Sequence, residues 1–373
     1  MDRAKVYFTD FRTMPNGPTV LKKLETLIKE AGMGEIDFKN KFAALKIHFG
    51  EPGNLAYLRP NYAKVVADAV KEYGGRPFLT DCNTLYVGGR KNAVDHIESA
   101  YVNGYSPFTT GCPIIIADGL KGTDEAYVPV LNGELVKSAK IGRAVMDADI
   151  FISINHFKGH ELTGFGGAIK NIGMGCGSRA GKMEMHSGSK PKISAKKCIG
   201  CGACSKNCAS DAIYFEKKKA VIDINKCVGC GRCIGVCPVD AIRAIFDEAS
   251  AVLNKKIAEY TYAVLNGRPG FHINIITDVS PFCDCHAEND VPIIPNIGML
   301  ASFDPVAIDM ASADLCNEAP AIKGSYLTDM GADNEPGDHF CSMHPETDWM
   351  AAIEHSVKLG IGTDKYEFIR LEL

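Results

Sequence analysis

Hydrophobic and polar positions along the chain fall into two alternating periods. Ala4–Asp10 (AKVYFTD) reads as a strand, followed by the turn residues Pro15, Asn16 and Gly17. Leu21, Leu24, Leu27 and Ile28 then recur at helical spacing and mark one face of a helix ending near Gly32. Phe42–Phe49 (FAALKIHF) is the next strand, with Lys46 and His48 on the same side because strand side chains alternate with period two. A helix over Asn61–Tyr73 closes at Gly74-Gly75, a third strand ends at Asp81, and the loop to Arg90 leads into a helix over Lys91–Asn103. Cys112–Gly119 (CPIIIADG) is a continuous apolar run, the pattern of a strand buried on both faces. A helix near Ser138–Asp147 and a strand over Asp149–Ile154 follow. The same alternation returns later, with a helix running through Leu265, a strand over Phe271–Asp278 and a helix over Pro305–Asn317. Asp304 and Asp309 are read as part of that last helix's start, where acidic groups complement the dipole. Strands alternating with helices imply an α/β fold, a mostly parallel sheet with helices on both faces.

The periodicity lapses after Ile154. Between Gly159 and Gly181 stand eight glycines, a density that argues against any regular element. Beyond them the chain reads Cys198-x-x-Cys201-x-x-Cys204-x-x-x-Cys208, and then Cys227-x-x-Cys230-x-x-Cys233-x-x-x-Cys237-Pro238. Two such runs form the bacterial two-cluster ferredoxin pattern, in which the fourth Cys of each run ligates the other run's cluster. Three thiolates spaced by two residues wrap one corner of a cubane, and the last arrives from a distant segment. One [4Fe-4S] cluster is therefore assigned to Cys198, Cys201, Cys204 and Cys237, the other to Cys227, Cys230, Cys233 and Cys208. Gly200, Gly202, Gly229 and Gly231 let the backbone turn tightly around them. Each half ends in Asp-Ala-Ile, Asp211–Ile213 and Asp240–Ile242, but the first has Ala209 where the second has Pro238.

Because the α/β pattern resumes past Phe246, this segment reads as an inserted α+β ferredoxin-like domain. The organisation expected is residues 1–188 and 246–373 for the α/β domain and 189–245 for the insert. An insertion has two tethers and can be held at a fixed distance from a site. From Lys182 to Arg232 there are eleven Lys/Arg against four Asp/Glu, in a chain whose net charge is −4. That overall charge argues against nucleic acid as a partner. No apolar run reaches the roughly eighteen residues of a membrane span, and the start lacks the apolar core of a signal peptide. Seven cysteines remain outside the two runs, and an odd remainder fits a reducing cytoplasm better than an oxidising compartment.

Two further clusters carry candidate chemistry. Asn155–Gly177 follows a strand directly, and in open α/β sheets the carboxyl-end crevice is where ligands bind. His156, Lys158, His160, Thr163, Lys170 and Asn171 gather there among glycines whose amides can approach an anion. Lys46 and His48, ending another strand, can join them. Cys283-Asp284-Cys285-His286 could hold a metal if ligands arrive from elsewhere, with Cys341, His344, Cys316 and Cys176 available to complete the set.

Lys46-Ile47-His48-Phe49-Gly50-Glu51, the Asp81 to Gly89-Arg90 loop, Ala168 to Gly175, Cys283-Asp284-Cys285 and Asp304 to Asp309 together resemble an uncharacterised family of iron–sulfur center proteins. The resemblance runs over nearly the whole chain, through Leu359–Gly362 and Tyr366. The family is a domain of unknown function that often contains a two-cluster ferredoxin, so it implies clusters but no substrate. No G-x-G-x-x-G fingerprint follows a strand and no P-loop is present, which leaves nucleotide binding unsupported. Flavin stays open, since its sites share no single short motif.

These readings converge on an anaerobic cytoplasmic oxidoreductase. Electrons would enter through the insert and reduce a small anionic molecule, with Lys158 and Lys170 holding the anion and His156 or His160 delivering protons. The alternative is a non-enzymatic electron carrier whose α/β domain docks a redox partner protein. A third reading makes the clusters structural.

Overall fold

The computed structural model describes residues 3–86, 88–186, 190–331 and 337–373. The boundary expected between residues 188 and 189 lies outside them. Eight strands form one sheet: β1 (Ala4–Asp10), β2 (Phe42–Lys46), β3 (Arg76–Asp81), β4 (Ile114–Ile116), β5 (Ile150–His156), β6 (Gly270–Ile276), β7 (Gly298–Ser302) and β8 (Tyr366–Arg370). Their order across the sheet is β8-β1-β7-β6-β5-β2-β3-β4. Only β7 runs antiparallel to its neighbours, β1 and β6, so the sheet is mostly parallel as the alternation predicts.

Helices cover both faces. Leu24, Leu27 and Ile28 of α1 (Val20–Glu30) and Val66 and Val70 of α2 (Pro60–Glu72) pack on Ile150, Ile152 and Ile154 of β5 and on Phe271, Ile273 and Ile275 of β6. On the other face lie α4 (Ala168–Cys176), α6 (Ser250–Leu265), α7 (Pro305–Glu318) and α8 (Met350–Lys358). Each fully buried Ile or Phe contributes roughly 1.5–3 kcal/mol. Two more helices, α3 (Ala93–Val102) and α5 (Arg179–His186), flank the crevice described below. Among the described residues no helix is long and apolar enough to cross a membrane.

The chain lays β2, β3 and β4 outward in one direction, then returns to place β5 on the other side of β2 and continues toward β6. The reversal opens a crevice at the carboxyl ends of β2 and β5, where loops diverge.

Three expectations are corrected. Ser138–Gly142 is a strand paired with Glu125–Pro129, followed by a single helical turn over Arg143–Asp147. Ala139 and Ile141 are buried with period two, which outweighs the helical reading. The Cys112–Gly119 run yields only β4, an edge strand, and Ile115 is 41% exposed, so the strand is not buried on both faces. The glycine-rich stretch is regular after all: it forms a short hairpin, Lys158–His160 with Gly164–Gly166, and then α4 and α5.

Packing explains glycine inside α4. A Cβ on Gly173 would run into the Ile257 carbonyl oxygen of α6 and lie 2.8 Å from Thr261 Oγ1. One on Gly175 would lie 2.6 Å from Lys46 Nζ. These absent side chains let α6 and the lysine approach the helix backbone. Asp304 caps α7, accepting from the Val306 and Ala307 amides at 2.8 and 2.9 Å. Asp309 is instead one turn inside α7, and its carboxylate caps a different helix: it accepts from Ala168 and Ile169 at the start of α4, at 2.7 and 2.9 Å.

Between α5 and α6 the chain leaves the sheet and builds the small unit of residues 190–245. Two two-stranded sheets pair Lys192–Ile193 with Ile242–Arg243 and Ile213–Glu216 with Lys219–Ile222. The repeat is visible in the backbone. Asp211 and Asp240 share left-handed φ values of 46° and 48°. The amides that follow, of Ala212 and Ala241, donate to Cys208 and Cys237 sulfurs at 3.3 and 3.2 Å.

Gly173→Ala separates two effects. Helix propensity alone would stabilise by about 1 kcal/mol, whereas overpacking costs about 1–3 kcal/mol. Denaturant unfolding is expected to show net destabilisation; a stabilised variant would refute the close α4–α6 approach.

Candidate functional site

Lys46, the last residue of β2, forms the floor of the crevice. It is fully buried, its Nζ 3.0 Å from Asp81 Oδ1 at the end of β3 and donating to Asn171 Oδ1 of α4 at 2.7 Å. Burial opposes ionisation of Asp81, but the Lys46 ammonium beside it holds its carboxyl well below the usual range. From Lys46 a ladder of polar groups, half-buried at Asn171 and fully buried beyond it, crosses the sheet face. Asn171 donates to Asn155 Oδ1 at 2.7 Å, Asn155 to Asn274 Oδ1 at 2.9 Å, and Asn274 to Asp309 Oδ1 at 2.8 Å. Every rung is hydrogen-bonded, as burial of polar groups requires. Burial lifts the Asp309 carboxyl to about 6 despite its three donors.

Above this floor is a cavity of about 310 Å³. One wall carries Arg90, whose Nε donates to Glu51 Oε2 at 2.9 Å and whose Nη1 lies 2.9 Å from His48 Nε2. Burial, reinforced by Arg90, pushes His48 down to about 3 and keeps the ring neutral.

The facing wall is the loop after β6, with Cys283, Cys285 and His286. A hydrogen bond from Cys285 holds the Cys283 thiol well below its ordinary value against its burial, helped by Lys158, Lys170 and His160. The Cys285 thiol is driven up by the same bond. His160 reaches Cys283 from the side: its Nδ1 accepts from the Leu162 and Thr163 amides at 3.0 and 3.3 Å, which leaves Nε2 to carry the proton.

Of the residues singled out in the sequence, Lys46, His48, His160, Lys170, Asn171, Cys283, Cys285 and His286 line the cavity. Three do not. His156 is held between Asp284 Oδ2 at 2.8 Å and the Thr277 carbonyl at 2.7 Å. Lys158 is buried beneath the cysteine loop, where burial opposes its charge and the neighbouring Cys283, Asp284 and Cys285 more than offset that. Thr163 donates to the Phe165 carbonyl at 2.9 Å, closing its own hairpin. Sequence reading missed Glu161, His186 and Phe246 in the lining, and gave no site role to Asp81, at a strand end, or to Tyr86 and Arg90, in the loop that follows. Asp81 carried the same strand-end signal as Lys46; the others become neighbours only through folding.

The cysteines of the small unit gather in two sets. Cys198, Cys201, Cys204 and Cys237 line one cavity, and Cys208, Cys227, Cys230 and Cys233 line another. Each set offers four thiols with the Cys₄ chemistry of a [4Fe-4S] cluster, the fourth crossing over from the other run. The proposed completers of a Cys283–His286 metal set are elsewhere: Cys316 and Cys176 are in the core, and His344 hydrogen-bonds the Pro281 carbonyl at 2.8 Å.

Two contacts tie this unit to the crevice. Leu85 and Met183 pack in one apolar cluster with Cys198, Cys204, Cys233 and Cys237, while Tyr86, the next residue after Leu85, lines the crevice. His186 and Phe246, on either side of the insertion, both line the crevice and meet edge to face at 4.8 Å.

Residues 43–314 match the family described as Domain of unknown function (DUF362). A thylakoid-associated protein of Synechocystis sp. is 26% identical over 165 residues, 42% of this chain and 46% of that protein. The chain thus spans less than half the length of this curated relative. Two solved structures show weaker likeness. A Thermotoga maritima protein has 13% identity and a TM-score of 0.41, over 79% of this chain and 57% of its own. The lactate racemase apoprotein of Thermoanaerobacterium thermosaccharolyticum has 12% identity and a TM-score of 0.35, over 74% and 52%. No activity passes from either to this chain.

The Lys46–Asp81 pair gives a stability test. Lys46→Met strands a buried carboxylate, a loss of about 3–5 kcal/mol. Because the folded-state pKa of Asp81 is depressed, its contribution is present above its unfolded value of about 3.9 and lost as pH falls. Unfolding free energies against pH should show the variant's deficit shrinking on acidification; a pH-independent deficit would refute the pair.

Proposed function

The chain belongs to the DUF362 family, whose chemistry is unassigned, and from the site we propose an iron–sulfur oxidoreductase that reduces a small anionic molecule bound in the crevice. The observation that carries this reading is the Leu85–Tyr86 step: adjacent residues pack on the cysteine sets and line the crevice. When bound by the two cysteine sets, [4Fe-4S] clusters supply electrons one at a time.

The crevice residues account for the anion. Lys46 is neutralised by Asp81 and Arg90 by Glu51. Lys170 lines the cavity beside the Cys283 thiol and makes no salt bridge to a carboxylate among the described residues. Its ammonium is placed to hold a carboxylate or phosphate, a charge-assisted contact stronger than a neutral one. His160, its ring fixed through Nδ1, turns its other side to Cys283, and this thiol–imidazole pair on the cavity wall is placed to supply the proton for the reduced product. Electron supply comes from outside. Ile199 and Val228, each following the first Cys of its run, are 63% and 67% exposed among the lysines of this segment, a surface suited to an acidic redox protein. That same surface favours the second reading, a carrier that passes electrons between proteins. Either role fits a reducing, oxygen-poor cytoplasm.

Iron and acid-labile sulfide, assayed after anaerobic purification, are expected at two [4Fe-4S] clusters per chain; one cluster's worth, unchanged by reconstitution, would contradict the assignment. Lys170→Ala should keep the clusters and lose about 1.5–3 kcal/mol of anion binding, roughly ten- to hundredfold in affinity. The measurement is a thermal-shift screen of small anions, followed by mixing each hit with dithionite-reduced protein. Reoxidation by a hit in wild type but not in Lys170→Ala supports the enzyme. Electron transfer only to proteins, indifferent to Lys170, would leave the carrier.

A further inference from the structure

Glu161, at the turn of the Lys158–His160 hairpin, converges with two residues of the cysteine loop. A carboxylate oxygen of Glu161, Cys285 Sγ and a ring nitrogen of His286 lie within 4.8 Å of one another, and all three residues border the crevice. Bonds of about 2.0–2.3 Å in a tetrahedral zinc site place neighbouring donors roughly 3.3–3.8 Å apart, so a small side-chain adjustment closes the set. One edge is already shorter than that: His286 Nε2 and Glu161 Oε1 are 2.8 Å apart, a hydrogen bond that a cation would replace.

The donors sit on a backbone fixed by contacts of its own. The Cys283 amide donates to Glu161 Oε2 at 3.3 Å, which orients the carboxylate. The His286 amide donates to the Cys283 carbonyl at 3.0 Å, and the buried Asn54 donates to the His286 carbonyl at 3.0 Å. The Glu51 amide holds the Asp284 carbonyl at 3.0 Å. Outer contacts of this kind orient ligands and sustain affinity.

We propose that Glu161, Cys285 and His286 bind a divalent metal ion of the zinc class, with the remaining coordination position open to the crevice. Thiolate, imidazole and carboxylate together suit a borderline cation over magnesium or calcium. Metal binding displaces the Cys285 proton, and one thiolate and one carboxylate then balance the ion's two charges. Three protein ligands with an open position is the arrangement of catalytic sites; structural sites are closed by four. The open position, on the same cavity as Lys170, suits an oxygen of a carboxylate or phosphate. Cys283 stays outside the set, facing His160. This inference rests on the tripod alone and does not require electron delivery.

The test uses the full-length protein with its clusters, purified anaerobically, and Co²⁺ as probe. Retained cobalt is measured after gel filtration, with iron and sulfide in the same sample, so that cluster loss is read separately. Wild type should retain one cobalt per chain, and Cys341→Ser should match it. Glu161→Gln, which keeps size and hydrogen bonding, and Cys285→Ser should each weaken cobalt binding about tenfold or more, the scale on which losing even an outer partner acts. Cys283→Ser should change it far less. Little cobalt in wild type, or equal retention in Glu161→Gln, would overturn the site. Loss in Cys283→Ser as complete as in Cys285→Ser would replace the open site with a closed one.

Discussion

An ammonium group cannot stay charged in a protein interior without a partner, and the rest of the crevice is arranged around how Lys46 meets that requirement. Asp81 supplies the opposing charge and Asn171 the remaining acceptor. Asn171 can do so only if α4 starts where it does, and Asp309 fixes that start from a helix on the same face. The residues with the least tolerance for error are therefore polar, in the middle of an apolar fold. A ladder of this kind stabilises less than an apolar core of equal volume would. What it contributes is position, because each rung has one geometry that satisfies all its donors.

The crevice built on that floor has two chemical sides. Arg90, Glu51 and His48 form a closed set of mutually satisfied groups, a rigid wall. The cysteine loop opposite is anchored by backbone contacts and by Asp284, while Cys283, Cys285 and His286 bond within the loop and to Glu161 at the cavity wall. Lys158 and His156 supply its foundation: one ammonium beneath Cys283 and one imidazole on Asp284.

Much of this was legible in the sequence, and what was not has identifiable causes. The mostly parallel sheet followed from alternating periods, and Lys46 from its place at a strand end. The cysteine spacing, local in each run, pointed to the same two groups of four thiols that line the two cavities of the small unit. Gly173 and Gly175 misled, since glycine weakens an isolated helix and here it is required by what packs against one. Asp309 carried a helix-start signal yet serves a helix some 140 residues earlier in the chain. His156 and Lys158 had the right chemistry one strand turn too early and point beneath the loop, where His160 points across it. Glu161 gave no signal at all, because its partners are distant in sequence.

His186 and Phe246 meet edge to face on the wall of the crevice, and the cysteine-bearing unit of residues 190–245 lies between them in the chain. The two rings are at once the stem of a long loop and part of a binding wall. Any molecule that prefers them together lowers the free energy of closing that loop, and an ordered loop in turn presents a better-formed wall. Occupancy of the crevice and order in the cysteine-bearing unit are thereby linked, and thermodynamic linkage is reciprocal: each favours the other by the same factor. A loosened insert would weaken ligand binding without touching one residue of the crevice.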